Sequence, residues 1–281
     1  MQIRMIHNGR DRDSLLTPLE PRSIDLMLQY SILLERCEPT SHFNVSGTRC
    51  TGNGILHDTY GTFHLDPWTD DEWNAFRSDF VGVITRYWDR KFELSPSRPW
   101  YQAYGAPVAP EAAVITCSLS VGLVDTAAMA NQHYYIIKPR ETTFRSFAWP
   151  EYRKGMFTNR DLTLRWNTRR TRVGPGVRHR VSFLQTVVLH EFGHTLGLGH
   201  VNGSSNDDSA YGVTLEQRED LMGMGDHVTA REAQPWIRQM RHHLVPSRGE
   251  AALRFTGRVV APQLITYWDD DWVPPAAPAA P

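Results

Sequence analysis

Residues 190–200 read HEFGHTLGLGH, and the spacing of their polar side chains decides what this chain can hold. Residues four apart share one face of a helix, so His190 and His194 can direct their imidazoles to a common centre. Glu191 lies roughly 100° around the helix from His190, placed to address a ligand on a metal rather than to be one. Gly197 and Gly199 interrupt the helical pattern, and glycine accepts the positive φ with which a chain leaves a helix and turns back. His200 can then return as a third ligand. Three neutral imidazoles leave the fourth position of a tetrahedral zinc open, which is the arrangement of a catalytic site rather than a closed structural one.

His190, Glu191, His194, Gly197 and His200 fill every specified position of HExxHxxGxxH, and the segment resembles the signature of the metzincin clan of zinc metallopeptidases. The resemblance implies an α+β, metzincin-like zincin fold. A mixed sheet with helices forms the upper subdomain, followed by the active-site helix, and a methionine turn and a closing helix form the lower one. It implies one catalytic Zn2+ held by His190, His194 and His200, with Glu191 as general base. The activity implied is that of a zinc-dependent endopeptidase, which hydrolyses a protein or peptide substrate with a zinc-activated water. Asp220–Asp226, DLMGMGD, offers the turn, and Met222 aligns with the family's methionine. Many members carry a tyrosine two residues further on, where this chain has Met224; Tyr211 and His227 are the candidates for steadying the developing oxyanion instead. Some metzincins stay latent through a propeptide cysteine, and Cys50, in GTRCTGNG, is the candidate for that role. In the clan, the edge strand nearest the zinc pairs with the extended substrate. DLTLRW, residues 161–166, or the strand candidate before it, is the expected counterpart. No subfamily is assigned, because Val201 after the third histidine matches none of the best known ones.

The rest of the chain sets bounds. Its 281 residues provide ample core, and 41% apolar with 22% charged residues is ordinary for a soluble globular protein. A formal net charge of −1 gives no bulk attraction to nucleic acid, so none is expected as a partner. Three cysteines are too few and odd in number for a disulfide framework; reduced thiols are the default, with Cys37–Cys50 the one pairing considered for an oxidising compartment. The N-terminus lacks an apolar signal core and no run reaches 18 apolar residues, so neither a signal peptide nor a membrane span is expected. Cytoplasmic residence or export by a specialised route fits both. Three other readings share the motif: a delivered toxin or effector protease with a narrow or self-processing role, a zinc-binding pseudoenzyme acting as a binding protein, and a non-peptidase zinc hydrolase such as an amidase, since the same hydroxide can attack other acyl centres. Glu191 argues against the second, since a structural metal needs no base.

Along the chain, residues 1–60 read as a leading segment, pro-like or packed on the core. Residues 61–248 are the catalytic domain, and 249–281 a hairpin within 251–268 and a Pro/Ala tail. Pro21 to Leu34 fits a helix with an early proline, or a strand, since Ile24, Leu26, Leu28, Tyr30 and Ile32 alternate. Thr69 to Glu72 is a capping box that predicts a helix over 70–92, with Trp73, Phe76, Phe80 and Ile84 on its apolar face. Strands are expected at 113–121, 134–138 and 162–166, and the metal helix over 181–196. Thr229 to Glu232 is a second capping box, predicting the closing helix with Ala233, Trp236, Ile237, Met240 and Leu244 on one face. The arginine-rich stretch 165–180 could recognise an acidic substrate or a nucleic acid, but with minimal aromatic interleaving in a chain that is not basic it reads first as a solvated loop near the cleft rim.

Overall fold

In the computed structural model, which describes residues 5–20, 23–98, 100, 114–174, 177–203, 205, 207–246 and 249–260, the chain opens with three strands. These are β1 (Met5–Asn8), β2 (Asp13–Glu20) and β3 (Ser23–Arg36). In β3, Ile24, Leu26, Leu28, Tyr30, Ile32 and Leu34 are all buried. A helix would scatter six side chains spaced by two around its whole circumference, whereas a strand gathers them on one face. The strand alternative for this segment therefore holds from Ser23 onward. Pro21 lies outside the described residues.

Four short strands follow, β4 (His42–Val45), β5 (Thr48–Thr51), β6 (Ile55–Asp58) and β7 (Gly61–His64), paired as an antiparallel meander of their own. Helix α1 (Asp70–Trp88) starts at the expected capping box, with the Thr69 side chain and Glu72 bonded reciprocally. Its buried residues Phe76, Phe80, Ile84 and Trp88 recur every fourth position. The helix stops at Trp88 rather than continuing to 92. Asp89 is extended, its N–H bonds to Thr85, its carboxylate accepts from Leu119 N at 2.8 Å, and Phe92 already belongs to a strand.

The remaining elements are β8 (Phe92–Pro96), β9 (Val114–Val124), β10 (Gln132–Ile137), β11 (Phe147–Trp149), β12 (Lys154–Thr158), β13 (Arg165–Gly174) and β14 (Val177–Gln185). After these come α2 (Val187–Thr195), α3 (Leu215–Glu219), α4 (Gln234–Met240) and β15 (Phe255–Val259). The main sheet runs β11-β12-β10-β3-β9-β8-β15, with β2 on β3 and β1 on β2. Pairs β3–β9, β3–β10 and β10–β12 are parallel and the others antiparallel, so the protein is α+β on a mixed sheet. β3 pairs with β9 over Ser23 to Leu33 and with β10 over Ile32 to Arg36. That part of the leading segment is the middle of the sheet rather than a cover over it.

The main core gathers the β3 residues with Phe80, Trp88, Phe92, Tyr134, Phe157, Phe192, Met222 and Trp236. β10 is buried on both faces: Tyr134 and Ile136 point into this core, while Tyr135 and Ile137 join a second one under the meander, with Cys37, Cys50, Leu56 and Phe63.

The expected strand at 162–166, the expected loop at 165–180 and the expected start of the metal helix are corrected. Leu162 lies in a turn, and the strand that begins at Arg165 pairs with β14 from Arg165↔Gln185 to Gly174↔Val177. The arginine-rich stretch is thus one arm and part of the other of a long hairpin, not a loop. Residues 181–185 accordingly belong to β14, and the metal helix begins only at Val187; alternating Val181, Phe183 and Gln185 fit a strand as readily as a helical start. In 251–268 a single strand, β15, is described, paired with β8. Residues 261–281, including the Pro/Ala tail, lie outside the described residues. No helix among the described residues is long and apolar enough to cross a membrane.

Candidate metal centre

Helix α2 presents His190 and His194 one turn apart, and Gly197, at φ +90°, turns the chain back. His200 returns, and the ligand atoms of the three histidines lie within 4.8 Å of one another. This group could hold a metal ion. Each ring is oriented by a main-chain carbonyl: His190 Nδ1 donates to Leu221 O at 2.6 Å, His194 Nδ1 to Leu198 O at 2.9 Å and His200 Nδ1 to Ser205 O at 2.9 Å. A proton fixed on Nδ1 puts the lone pair of a neutral ring on Nε2, the tautomer that ligates. Burial holds the His194 pKa below its ordinary value, and the nearby Arg145 charge adds to this, so the neutral form is favoured at physiological pH. The donor set therefore fits a divalent transition metal; imidazole alone does not choose among zinc, copper, iron and nickel.

Beneath the helix, Asp220 organises a tight turn. Its carboxylate accepts from Met222 N at 2.7 Å, and its carbonyl accepts from Gly223 N at 2.8 Å and Gly225 N at 3.1 Å. Met222 is fully buried and sits against Gly193, where an added Cβ would fall 2.4 Å from the Met222 sulfur. Asp220 is itself buried beside Glu232, and burial first, then that like charge, push its pKa up to about 6. Gln185, at the end of β14, ties the turn to the helix by donating to Leu221 O at 3.0 Å and Gly225 O at 2.6 Å. Leu221 O thus receives both Gln185 and the ligand His190.

A cleft of about 440 Å³ is lined by Glu191, His194 and His200, by Ala148 and Trp149 of β11, and by Tyr60 of the meander. Ala148 N donates to Glu191 Oε2 at 2.8 Å. β11 is the edge of the main sheet on this side, so the edge strand beside the triad is Phe147–Trp149 and neither DLTLRW nor β10. Tyr211 is buried and lines a smaller cavity beside the histidines rather than the cleft; its ring centroid is 3.8 Å from that of His200 and 6.1 Å from that of His190. Arg145 donates to Tyr211 Oη at 2.9 Å and to Tyr60 Oη at 3.0 Å. Met224 packs with Tyr211 in a small cluster of its own, so the two residues share one region although Tyr211 comes from an earlier loop.

No family model, curated protein or solved structure matches the chain.

Of the other sequence candidates, His227 stays in the far leg of the turn, its carbonyl accepting from Leu221 N at 2.6 Å, and it lines neither of the cavities at the triad. Cys50 is buried in the core under the meander, with a free thiol, and is absent from the cleft lining. Its strand alternates in burial, Thr48 and Cys50 inward, and the thiol packs in the cluster with Leu56 and Phe63. Cys37 and Cys117 are also free and buried. Arg145 and Gln185 escape sequence reading. Neither belongs to a spaced motif, and the only local sign is a glutamine on an otherwise apolar approach to the metal helix.

Proposed function

We propose that this chain is a zinc-dependent endopeptidase built on the metzincin plan. The observation that carries the reading is the triad itself: three buried or half-buried histidines whose Nδ1 atoms are all committed to main-chain carbonyls, with Glu191 beside them in an open cleft. Order along the chain supports it too. A mixed sheet precedes the metal helix, and a glycine turn, a buried methionine turn under the helix and the closing helix α4 follow.

His190, His194 and His200 would hold the ion. When bound, zinc supplies an electrophile that acidifies water and polarises a carbonyl. Glu191, with Ala148 N–H donating to its Oε2, would serve as the base that accepts a proton from the attacking water and returns it to the leaving amine. Tyr211, held by Arg145, donates from Oη to the carbonyl oxygen as negative charge develops there. An extended peptide lies along β11 as an added strand, with Trp149 exposed beside it.

The test pairs metal analysis with digestion of a denatured protein mixture by wild type and Glu191→Ala. About one zinc in each protein, with cleavage by wild type alone, is the expected result. Equal cleavage by both proteins, or no bound zinc in wild type, overturns the reading.

A further inference from the structure

The metal helix ends in a turn that has little stiffness of its own. Gly197 and Gly199 both lie between the second and third histidines, and a glycine backbone ranges more widely than any other. A Schellman motif closes the helix: Leu198 N–H bonds back to Gly193 O at 2.9 Å and Gly197 N–H to His194 O at 2.8 Å. The next three carbonyls, of Thr195, Leu196 and Gly197, are left over from the helical ladder. Each is taken by a side chain from far along the chain. Tyr30 of β3 donates from its hydroxyl to Thr195 O at 3.4 Å. Arg12, in the turn between β1 and β2, gives Nη1 to Leu196 O at 2.8 Å and also to the Tyr30 hydroxyl. Arg238 of α4 gives Nη2 to Gly197 O at 2.9 Å and to Leu196 O at 3.3 Å. The two guanidiniums close on the same glycine, where an added Cβ would fall 3.0 Å from Arg238 Nη2 and 3.7 Å from Arg12 Nη2. Like charges brought this near repel, and the partial negative charge at the helix C-terminus offsets that.

Resting on the metal centre rather than on the peptidase chemistry above, we propose that Arg12 and Arg238 are positioning residues for the metal, a clamp on the turn that sets its second and third ligands. Both ligands depend on this turn. Leu198, directly after the clamped glycine, supplies the carbonyl that orients the His194 ring at 2.9 Å, and His200 follows two residues later. A ligand held in place before the ion arrives binds it without first losing backbone freedom. The leading hairpin and the closing helix thereby both take part in forming the centre.

Two probes of the full-length protein test this, zinc and cobalt(II). Competition with a chromogenic chelator gives the zinc affinity, and cobalt(II) absorbs visible light strongly in four-coordinate sites and weakly in six-coordinate ones. Wild type should bind about one zinc and show the strong cobalt bands. Arg238→Gln and Arg12→Gln should each lower zinc affinity about tenfold, and the double variant about a hundredfold, with the cobalt bands weakened as His200 drops out as a ligand. Arg238→Lys keeps a charged donor for the same carbonyls and should recover most of the affinity. Arg238 is exposed, so its variants carry the test even where Arg12→Gln does not fold. A helix cap with no further role would lower the melting temperature and leave the zinc affinity and cobalt spectrum of the folded protein unchanged; that result overturns the proposal. Wild type without bound zinc overturns it together with the metal centre. Weakened zinc binding in the variants, with no peptide cleavage by wild type, supports the clamp and counts against the peptidase alone.

Discussion

Gly193 sits between the two inward-facing ligands of α2, and replacing it with alanine sets two known effects against each other. Alanine is favoured over glycine in a helix interior by about 1 kcal/mol. Here the new Cβ would fall 2.4 Å from Met222 Sδ, 3.2 Å from Met222 Cε and 3.5 Å from Trp88 Cζ2. The first contact is more than 1 Å inside ordinary separation. The thioether can move, but Met222 is fully buried and its N–H is pinned by Asp220, so relief has to come from the turn. Overpacking of this kind costs about 1–3 kcal/mol, and the net expectation for Gly193→Ala is a loss of about 1 kcal/mol. For a protein of this size that is roughly 2–4 °C in melting temperature. In a Met222→Ala background the obstruction is gone, and the same substitution should stabilise by about 1 kcal/mol, a coupling near 2 kcal/mol across the pair. Urea unfolding of the four proteins in chelator, followed by circular dichroism, measures it. A Gly193→Ala that stabilises equally in both backgrounds refutes the claim that the methionine packs directly under the metal helix.

Gln185→Ala removes two hydrogen bonds to the turn and a fixed neighbour of the His190 acceptor; zinc affinity, read by competition with a chromogenic chelator, should fall about 10–100-fold, and an unchanged affinity rejects its role. Asp220 titrates near 6 when folded against an ordinary 3.8. Its folded form binds the proton more tightly, so its own contribution to stability is fully present below about pH 4 and is lost as pH rises through about 6, by at most about 3 kcal/mol. Asp220→Asn should remove that slope, and a parallel pair of stability curves over this window counts against it. The three thiols should react with a disulfide reagent only after unfolding, because burial also raises the pKa of Cys37 and Cys117. Cys50→Ser should leave zinc content and peptidase activity unchanged, and a gain of activity in that variant restores the latency role.

What was legible in the sequence is what local periodicity encodes. The Thr69 box, the four-residue spacing from Phe76 to Trp88 and the eleven-residue histidine motif each specify their own geometry, and each is found where it was expected. Failures come where a neighbour far along the chain decides. Val181–Gln185 is apolar enough for a helix, but β13 claims it by pairing. Phe92 prolongs the apolar face of α1, yet β9 draws it into a strand. Three-residue β11 carries too few side chains for a pattern, although it forms the wall of the cleft. Arg145 is invisible for a related reason: its meaning lies in the phenols of Tyr60 and Tyr211, which arrive from opposite directions along the chain.

The placement of β3 has a consequence for how the protein is made. Ser23 pairs with Val114, about ninety residues later, which at ribosomal speeds is roughly 5–20 s of synthesis. Throughout that interval the early β2–β3 hairpin can form, but the other side of β3 has no partner and presents an apolar strand to anything nearby. Nascent chains should therefore depend on chaperones while this half-sheet waits. A product initiated after residue 60 would carry all three histidines and Glu191, and have no central strand on which to assemble them.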